Sequence, residues 1–414
     1  MTRYDLETLV DRSAMGSSKW EAMASGADLA GIDLAAQHER CGGAIAPFSV
    51  ADLDLAHPPE ITEALQRAIT GGLVLGYTVP TASYLDAVRT WMRRRHGWEV
   101  DPEWVRVTPG VISAFTWAIR EFTAPGDGVI VQTPGYYPMY RSISSSDRRL
   151  VRNPLVERDG RFRLDLELLE QQARDPRTTM LLLCSPHNPT GRVWERGELT
   201  ELARIVEEND LLLVSDEIHA DLTQPGHRHS SILTVAPQLA GRTLVLTSPS
   251  KSFNLAGLQI ANAIIPDAGL RDRFTAVRDD LGFDNPNVLG AIACHAAYTR
   301  AEPWLDEVNE LVGRNHALVR EVLARRLPQA RVADLEGTYL QWIDLRGLGL
   351  DAEQLQRVHT CEAFVFADEG PLFGPEGEGF VRLVIATPTS VLEAALERLC
   401  TAYLRALEVD ARAA

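Results

Sequence analysis

Cysteine is scarce in this chain, and what little there is stands apart. Five of the 414 residues are cysteines (Cys41, Cys184, Cys294, Cys361 and Cys400), with no C-x-x-C pair among them. That spacing argues against a disulfide framework and against a structural zinc site, and it suits a reducing compartment. Long apolar runs are missing too: no stretch of 18 apolar residues appears, so no membrane partner is expected. The opening Met1-Thr-Arg-Tyr-Asp-Leu-Glu7 lacks the charged-then-apolar pattern of a secretory leader, and a cytoplasmic location is expected. Positive charge is in deficit, with 41 Lys and Arg against 57 Asp and Glu and a formal net charge of -16. No basic cluster offsets that balance, which argues against a nucleic-acid surface. The one basic knot, Arg93-Arg-Arg-His96, ends an amphipathic pattern (Leu85, Val88, Trp91, Met92), where cations complement a helix C-terminus. Repeats and low-complexity segments are absent.

What remains is the composition of an ordinary globular enzyme, 45% hydrophobic and 24% charged. From about residue 50 to 290 short apolar runs alternate with longer amphipathic ones, as in an α/β fold with a mainly parallel sheet. Candidate strands are Gly128–Gln132, Thr179–Cys184, Leu211–Val214 and Thr243–Thr247, with a helical stretch from Leu199 to Asn209. After about residue 290 a long helical region leads to the strand patterns Gly337–Asp344 and Phe380–Ile385, which suggest a smaller α+β domain. The expected division is an N-terminal segment (1–49) packing with the small domain, a large domain (50–290) and a small C-terminal domain (291–414).

Lys251 stands in the run from Leu244 to Asn254, a buried-strand pattern that ends in two serines and one lysine. A buried lysine is costly unless paired, whereas a lysine holding a carbonyl cofactor as a Schiff base explains the placement. Each candidate strand likewise delivers polar residues at its carboxyl end. They are Thr133-Pro-Gly-Tyr136, Ser185-Pro-His-Asn-Pro-Thr-Gly191, Ser215-Asp-Glu-Ile-His219 and Ser248-Pro-Ser-Lys251. Ligands of open α/β sheets bind beyond those ends, so Tyr136, Asn188, Asp216 and Lys251 are expected to converge on one pocket. Asp216 calls for a cationic partner, which a protonated pyridine nitrogen would supply, although an aspartate after a strand also caps helices. Asn188 could donate to a phenolate oxygen, or simply build the Asn-Pro-Thr-Gly turn. Tyr136 could stack on a flat ring or be core. Thr108-Pro-Gly110 precedes a helical run starting at Val111, which offers backbone N–H groups to a phosphate, and Ser248 could add a hydroxyl.

These motifs, together with Val50-Ala-Asp-Leu-Asp54, Gly76-Tyr-Thr78, Gly337-Thr-Tyr-Leu340 and Gly379-Phe-Val-Arg-Leu383, resemble the fold-type I, pyridoxal-phosphate-dependent aminotransferase superfamily. The resemblance covers about residues 4 to 400, and within the superfamily it is to the MalY/PatB-type cystathionine β-lyases or cysteine-conjugate C–S lyases. Ordinary aminotransferases usually carry a tyrosine three residues after the aspartate and an arginine eight after the lysine; here these are His219 and Gln259. The resemblance implies the roles that follow. Lys251 would anchor pyridoxal 5'-phosphate and shuttle the Cα proton. Asp216 would pair with the pyridine nitrogen, Asn188 with the phenolate oxygen, and Tyr136 would stack on the ring, with His219 beside it. Gly110, Val111 and Ser248 would hold the phosphate. Arg382 would clamp the carboxylate of an amino-acid substrate, with Ser49 and Tyr339 on the substrate side. Tyr77 would act in the neighbouring subunit's site, which implies a homodimer.

Departures from the family pattern accompany the likeness. The family segment usually reads Pro-Met-Trp-Val-Ala-Asp-Met-Asp-Phe, where this chain has Pro47-Phe-Ser-Val-Ala-Asp-Leu-Asp-Leu55, and Val384 stands where asparagine is usual. A Ser49 facing the substrate would widen the pocket for a bulkier cysteine conjugate. The expected function is C–S β-elimination from an S-substituted L-cysteine to thiol, pyruvate and ammonia. Transamination, decarboxylative deamination and cyclisation start from the same cofactor chemistry and stay open as alternatives. A regulatory binding protein on the same fold is the remaining rival, against which the full set of site residues argues. No helix-turn-helix is legible ahead of the fold.

Overall fold

The computed structural model describes residues 3–43 and 45–413. Its strands, in chain order, are β1 (Val105–Thr108), β2 (Gly128–Thr133), β3 (Arg149–Pro154), β4 (Val156–Arg158), β5 (Arg161–Arg163), β6 (Thr178–Cys184) and β7 (Leu212–Asp216). They continue with β8 (Thr243–Thr247), β9 (Ala261–Ile264), β10 (Arg331–Val332), β11 (Leu340–Asp344), β12 (Asp368–Glu369) and β13 (Phe380–Val384). Seven of them form one sheet in the order β1-β9-β8-β7-β6-β2-β3. Pairing is parallel from β8 through β3, and only β9 runs against its neighbours. The fold is therefore α/β with a mainly parallel sheet.

The side-chain period of two builds the layers. Val129, Val131, Met180, Leu182, Val214, Leu244 and Leu246 pack on one face with Phe115 and Ile119 of the helix Val111–Phe122. Ile130, Leu181, Leu183, Leu213 and Val245 pack on the other with Leu202 and Val206 of the helix Arg196–Glu208. Both faces are covered, so each strand reads as an unbroken apolar run and becomes polar only where it leaves the sheet. The strand order jumps from β6 to β2, opening a crevice at their carboxyl ends, between Tyr136 and Asn188.

A second, antiparallel sheet runs β10-β11-β13-β12. Trp342 of β11 stacks on Phe380 of β13 at 5.1 Å, and Phe373 meets Trp342 edge-on. The helices Glu302–Arg326 and Thr389–Ala413 pack on each other beside it. Trp20, Met23 and Ala27 of the helix Ser18–Leu29 pack on Phe366 and Ile45. Next to them, the buried Lys19 and Asp54 pair at 2.8 Å, each neutralising a charge that would otherwise be stranded out of water.

Gly337 fixes the approach of the small sheet to the large one. A Cβ there would lie 2.8 Å from Val193 and 3.0 Å from the Leu222 carbonyl, beside a backbone bridge from Thr223 to Gly337. Two of the expected strands have a boundary that moves by more than one residue, and the expected helix Leu199–Asn209 starts earlier, running Arg196–Glu208. The strand anticipated from Gly337 starts at Leu340, because Gly337–Tyr339 is diverted by this close approach and by Thr338 at φ 67°. The strand anticipated over Leu211–Val214 is shifted to Leu212–Asp216, so that Asp216 is its last residue.

Candidate active site

One cavity of about 520 Å³ lies at the carboxyl ends of β2, β6, β7 and β8. Tyr136, Asn188, Asp216, His219, Ser248 and Lys251 all line it, as do Gly110, Val111 and Arg382. The strand ends deliver these side chains because each strand changes from apolar to polar as it leaves the core.

Lys251 sits in the single turn Pro249–Ser252, which is capped by Ser248 Oγ accepting from the Ser250 N–H at 3.0 Å. Its Nζ donates to the Ala51 carbonyl at 2.8 Å, and the Tyr339 hydroxyl donates to the same oxygen at 2.7 Å. Desolvation holds the Lys251 pKa below its usual value, opposed by the charge of Asp52. The segment carrying Ala51 is clipped on by Asn254, whose amide accepts from the Leu53 N–H and donates to the Leu53 carbonyl. Left-handed backbone gathers here: Val50 (φ 52°), Asn254 (57°), Gln259 (48°) and Thr338 (67°). For a β-branched residue such as Val50 that conformation costs about 1–3 kcal/mol, held by the surrounding structure.

Asp216 is buried, and its Oδ1 accepts only from the Ile218 N–H at 3.1 Å. Burial pushes its pKa up to about 7, with the Ile218 hydrogen bond opposing and Glu217 adding to the rise. No cation lies within ion-pair distance of it among the described residues. Glu217, by contrast, is fully provided for by His229, Ser215, Ser231 and the Ile232 N–H. Burial pushes the His219 pKa down to about 3, so the ring is neutral; its Nδ1 has no hydrogen-bond partner. Desolvation raises the Tyr136 phenol well above its usual range, so Tyr136 too is neutral.

The helix Val111–Phe122 begins at Gly110 without a side-chain cap, and a Cβ on Gly110 would meet nothing within 4 Å. Its first N–H groups therefore face the cavity uncapped, joined by Ser113. The Ser248 hydroxyl donates to the Ile260 carbonyl at 2.7 Å, so Ser250, 2.8 Å from it, is the freer donor. Opposite this end, Arg382 is buried and donates from Nη1 to Asn188 Oδ1 at 2.8 Å. That bond turns the Asn188 NH2 away from the arginine. Arg382 Nη2 donates to Asp368 Oδ2 at 2.5 Å.

Three expected residues lie elsewhere. Ser49 is buried but does not line the cavity; Val50 and Ala51 form that wall. Leu55 and Val384 are core residues as well. Tyr339 does not line the cavity itself but meets two residues that do, its hydroxyl donating to the Ala51 carbonyl and its ring standing edge-on to His219 at 6.3 Å. Tyr77 is 97% exposed and does not line the cavity. Conversely, Ser250, Gln259, Asp368, Val50 and Ala51 line the cavity without having been assigned to it from the sequence. For Ser250 the signal was present in Ser-Pro-Ser-Lys; for Asp368 there was none, since its place depends on strand pairing.

The model of the family "aminotransferase class I and II" matches residues 45–399. The chain belongs to that family. It is 38% identical to cystathionine β-lyase PatB of Bacillus subtilis, over 85% of this chain and 91% of that protein. It is 32% identical to protein MalY of Escherichia coli, over 96% and 98%. Among solved structures, cystalysin from Treponema denticola, which contains a pyridoxal 5'-phosphate cofactor, superposes with a TM-score of 0.92 at 40% identity. That likeness spans 97% of this chain and 99% of cystalysin. Membership of the family, and the likeness to its MalY/PatB branch, account for the fold and the mainly parallel sheet.

Proposed function

We propose that this protein is a pyridoxal-phosphate-dependent carbon–sulfur β-lyase. It cleaves the Cβ–S bond of an S-substituted L-cysteine and, with one water, yields thiol, pyruvate and ammonium. The observation that carries this reading is a cavity holding Lys251, Asp216 and Arg382 in a chain alike over 85% of its length to cystathionine β-lyase PatB.

The cavity fits the cofactor. Asp216 is a buried carboxylate lacking a cation, which a pyridinium would supply. Uncapped N–H groups at Gly110 and Val111, with Ser250 and Ser248, offer a phosphate cradle without any arginine at Gln259. Neutral His219 and Tyr136 present ring faces, and the free amide of Asn188 presents a donor. When bound, the cofactor supplies a covalent carbonyl and an electron sink.

The chain's own residues do the rest. Lys251 Nζ, whose pKa desolvation lowers and so shifts toward the free amine, moves the substrate Cα proton. The Ala51 carbonyl and Tyr339 hydroxyl fix where that amine rests. Arg382 holds the substrate carboxylate and, through Asn188, ties that end to the cofactor end. Tyr77, on an exposed segment with Val74, Leu75 and Val79, enters the site of a second copy, so the working unit is a homodimer. Five unpaired cysteines support a reducing, cytoplasmic setting. No helix among the described residues is long and apolar enough to cross a membrane.

The test is to incubate the protein and cofactor with a panel of cysteine conjugates, with and without a keto-acid acceptor. Thiol and pyruvate forming in equal amounts without acceptor is the expected result. Acceptor-dependent amino-acid formation instead would assign transamination and sink the lyase reading.

A further inference from the structure

Arg382 does not stand open for a ligand. β12 is two residues long, and its Asp368 lies directly opposite Arg382 in the antiparallel register with β13. The two side chains, 12% and 4% exposed, pair at 2.5 Å, and both line the cavity. The rest of the guanidinium is held by Asn188 and by the Phe373 ring at 4.6 Å, and only Nε lacks a hydrogen-bond partner. The strand carrying Asp368 is itself pinned, since the adjacent Glu369 bonds His359 Nδ1 at 2.6 Å and the same imidazole bonds the Tyr403 hydroxyl. The backbone at Asp368 is thereby fixed, and its carboxylate can leave Arg382 only by side-chain rotation.

We propose that Asp368 is the internal counter-ion of Arg382 and a specificity determinant of the site, which an incoming α-carboxylate binds by displacing. This rests on the reading of Arg382 as the carboxylate clamp. A guanidinium fork recognises a carboxylate through two N–H groups, and one arm of this fork is already taken by a charge-assisted bond. Part of the attraction between Arg382 and a substrate is therefore offset by breaking the bond to Asp368. Small amino acids bind weakly for that reason, and occupancy depends on further contacts made by the S-substituent.

The measurement uses the holoenzyme and two probes read by cofactor absorbance and calorimetry. L-alanine carries the amine and α-carboxylate without a β leaving group; L-alaninol replaces the carboxylate with an alcohol. Asp368→Asn removes the charge and keeps the shape, and Asp368→Ala removes the side-chain acceptor as well. Both variants are expected to tighten L-alanine about tenfold while leaving L-alaninol unchanged or weaker. An unchanged L-alanine affinity in both variants, or equal tightening of the two probes, overturns the proposal. Arg382→Gln separates the two layers. If it weakens L-alanine and not L-alaninol, the clamp stands and a negative Asp368 result is that residue's own; if it leaves L-alanine unchanged, the clamp reading falls and this proposal with it.

Discussion

Asp216 is a carboxyl group folded into apolar surroundings with one backbone N–H for company, and that has a consequence for stability. Its folded pKa, about 7, lies above the ordinary 3.8. Between those values the folded state binds a proton that the unfolded state has lost, so the group's contribution is fully present below 3.8 and is lost as pH rises through about 7. In cofactor-free protein, Asp216→Asn abolishes this titration. The stability of the variant relative to wild type is expected to rise by up to about 4 kcal/mol between pH 4 and pH 7. Urea unfolding of both proteins across that range measures it, and a difference independent of pH would show that Asp216 does not carry the linkage. Cofactor binding should flatten the wild-type profile, because a cation beside Asp216 restores its ordinary ionisation.

At the scale of elements, the site depends on how closely the small sheet approaches the large one, and Gly337 sets that distance. Gly337→Ala places a methyl within 2.8 Å of Val193 and about as close to the Leu222 carbonyl and Pro186, none of them the far end of a flexible chain. The overpacking is expected to cost about 1–3 kcal/mol in thermal or urea unfolding. Because Tyr339 follows two residues later and bonds the Ala51 carbonyl, turnover should fall along with stability. A variant as stable as wild type would show that the contact is soft.

The same elements show what a sequence can disclose. β2, β6 and β8 were legible because burial on both faces makes each an unbroken apolar run that ends abruptly in polar residues. The residues at those ends were legible for the same reason, and the structure brings Tyr136, Asn188, Asp216 and Lys251 to one cavity. β10 and β12 hold two residues each, too few for any periodicity, and they exist only through pairing with β11 and β13. Asp368 was invisible for that reason. Val50 and Ala51 line the cavity where Ser49 was expected, beside left-handed backbone at Val50 that no valine advertises.

At the scale of the whole molecule, one segment is hard to explain in a single chain. Val74, Leu75, Tyr77 and Val79 are 82%, 70%, 97% and 68% exposed along one stretch without regular structure. Such a run of apolar side chains marks a surface that meets something. In the proposed homodimer it meets a second copy and delivers Tyr77 to that copy's cavity, and mixing two inactive variants decides the matter. Lys251→Ala removes the amine from its own subunit's site, and Tyr77→Ala removes the tyrosine from the site it serves. If Tyr77 acts across the interface, a mixed dimer has one site lacking both groups and one lacking neither. Random reassortment of equal amounts then restores about a quarter of wild-type turnover. If Tyr77 acts within its own chain, every site in the mixture lacks one group or the other and nothing is restored. Sedimentation of the same mixture shows whether dimers form at all, so silence from a monomer is distinguished from silence from a dimer that does not share its sites.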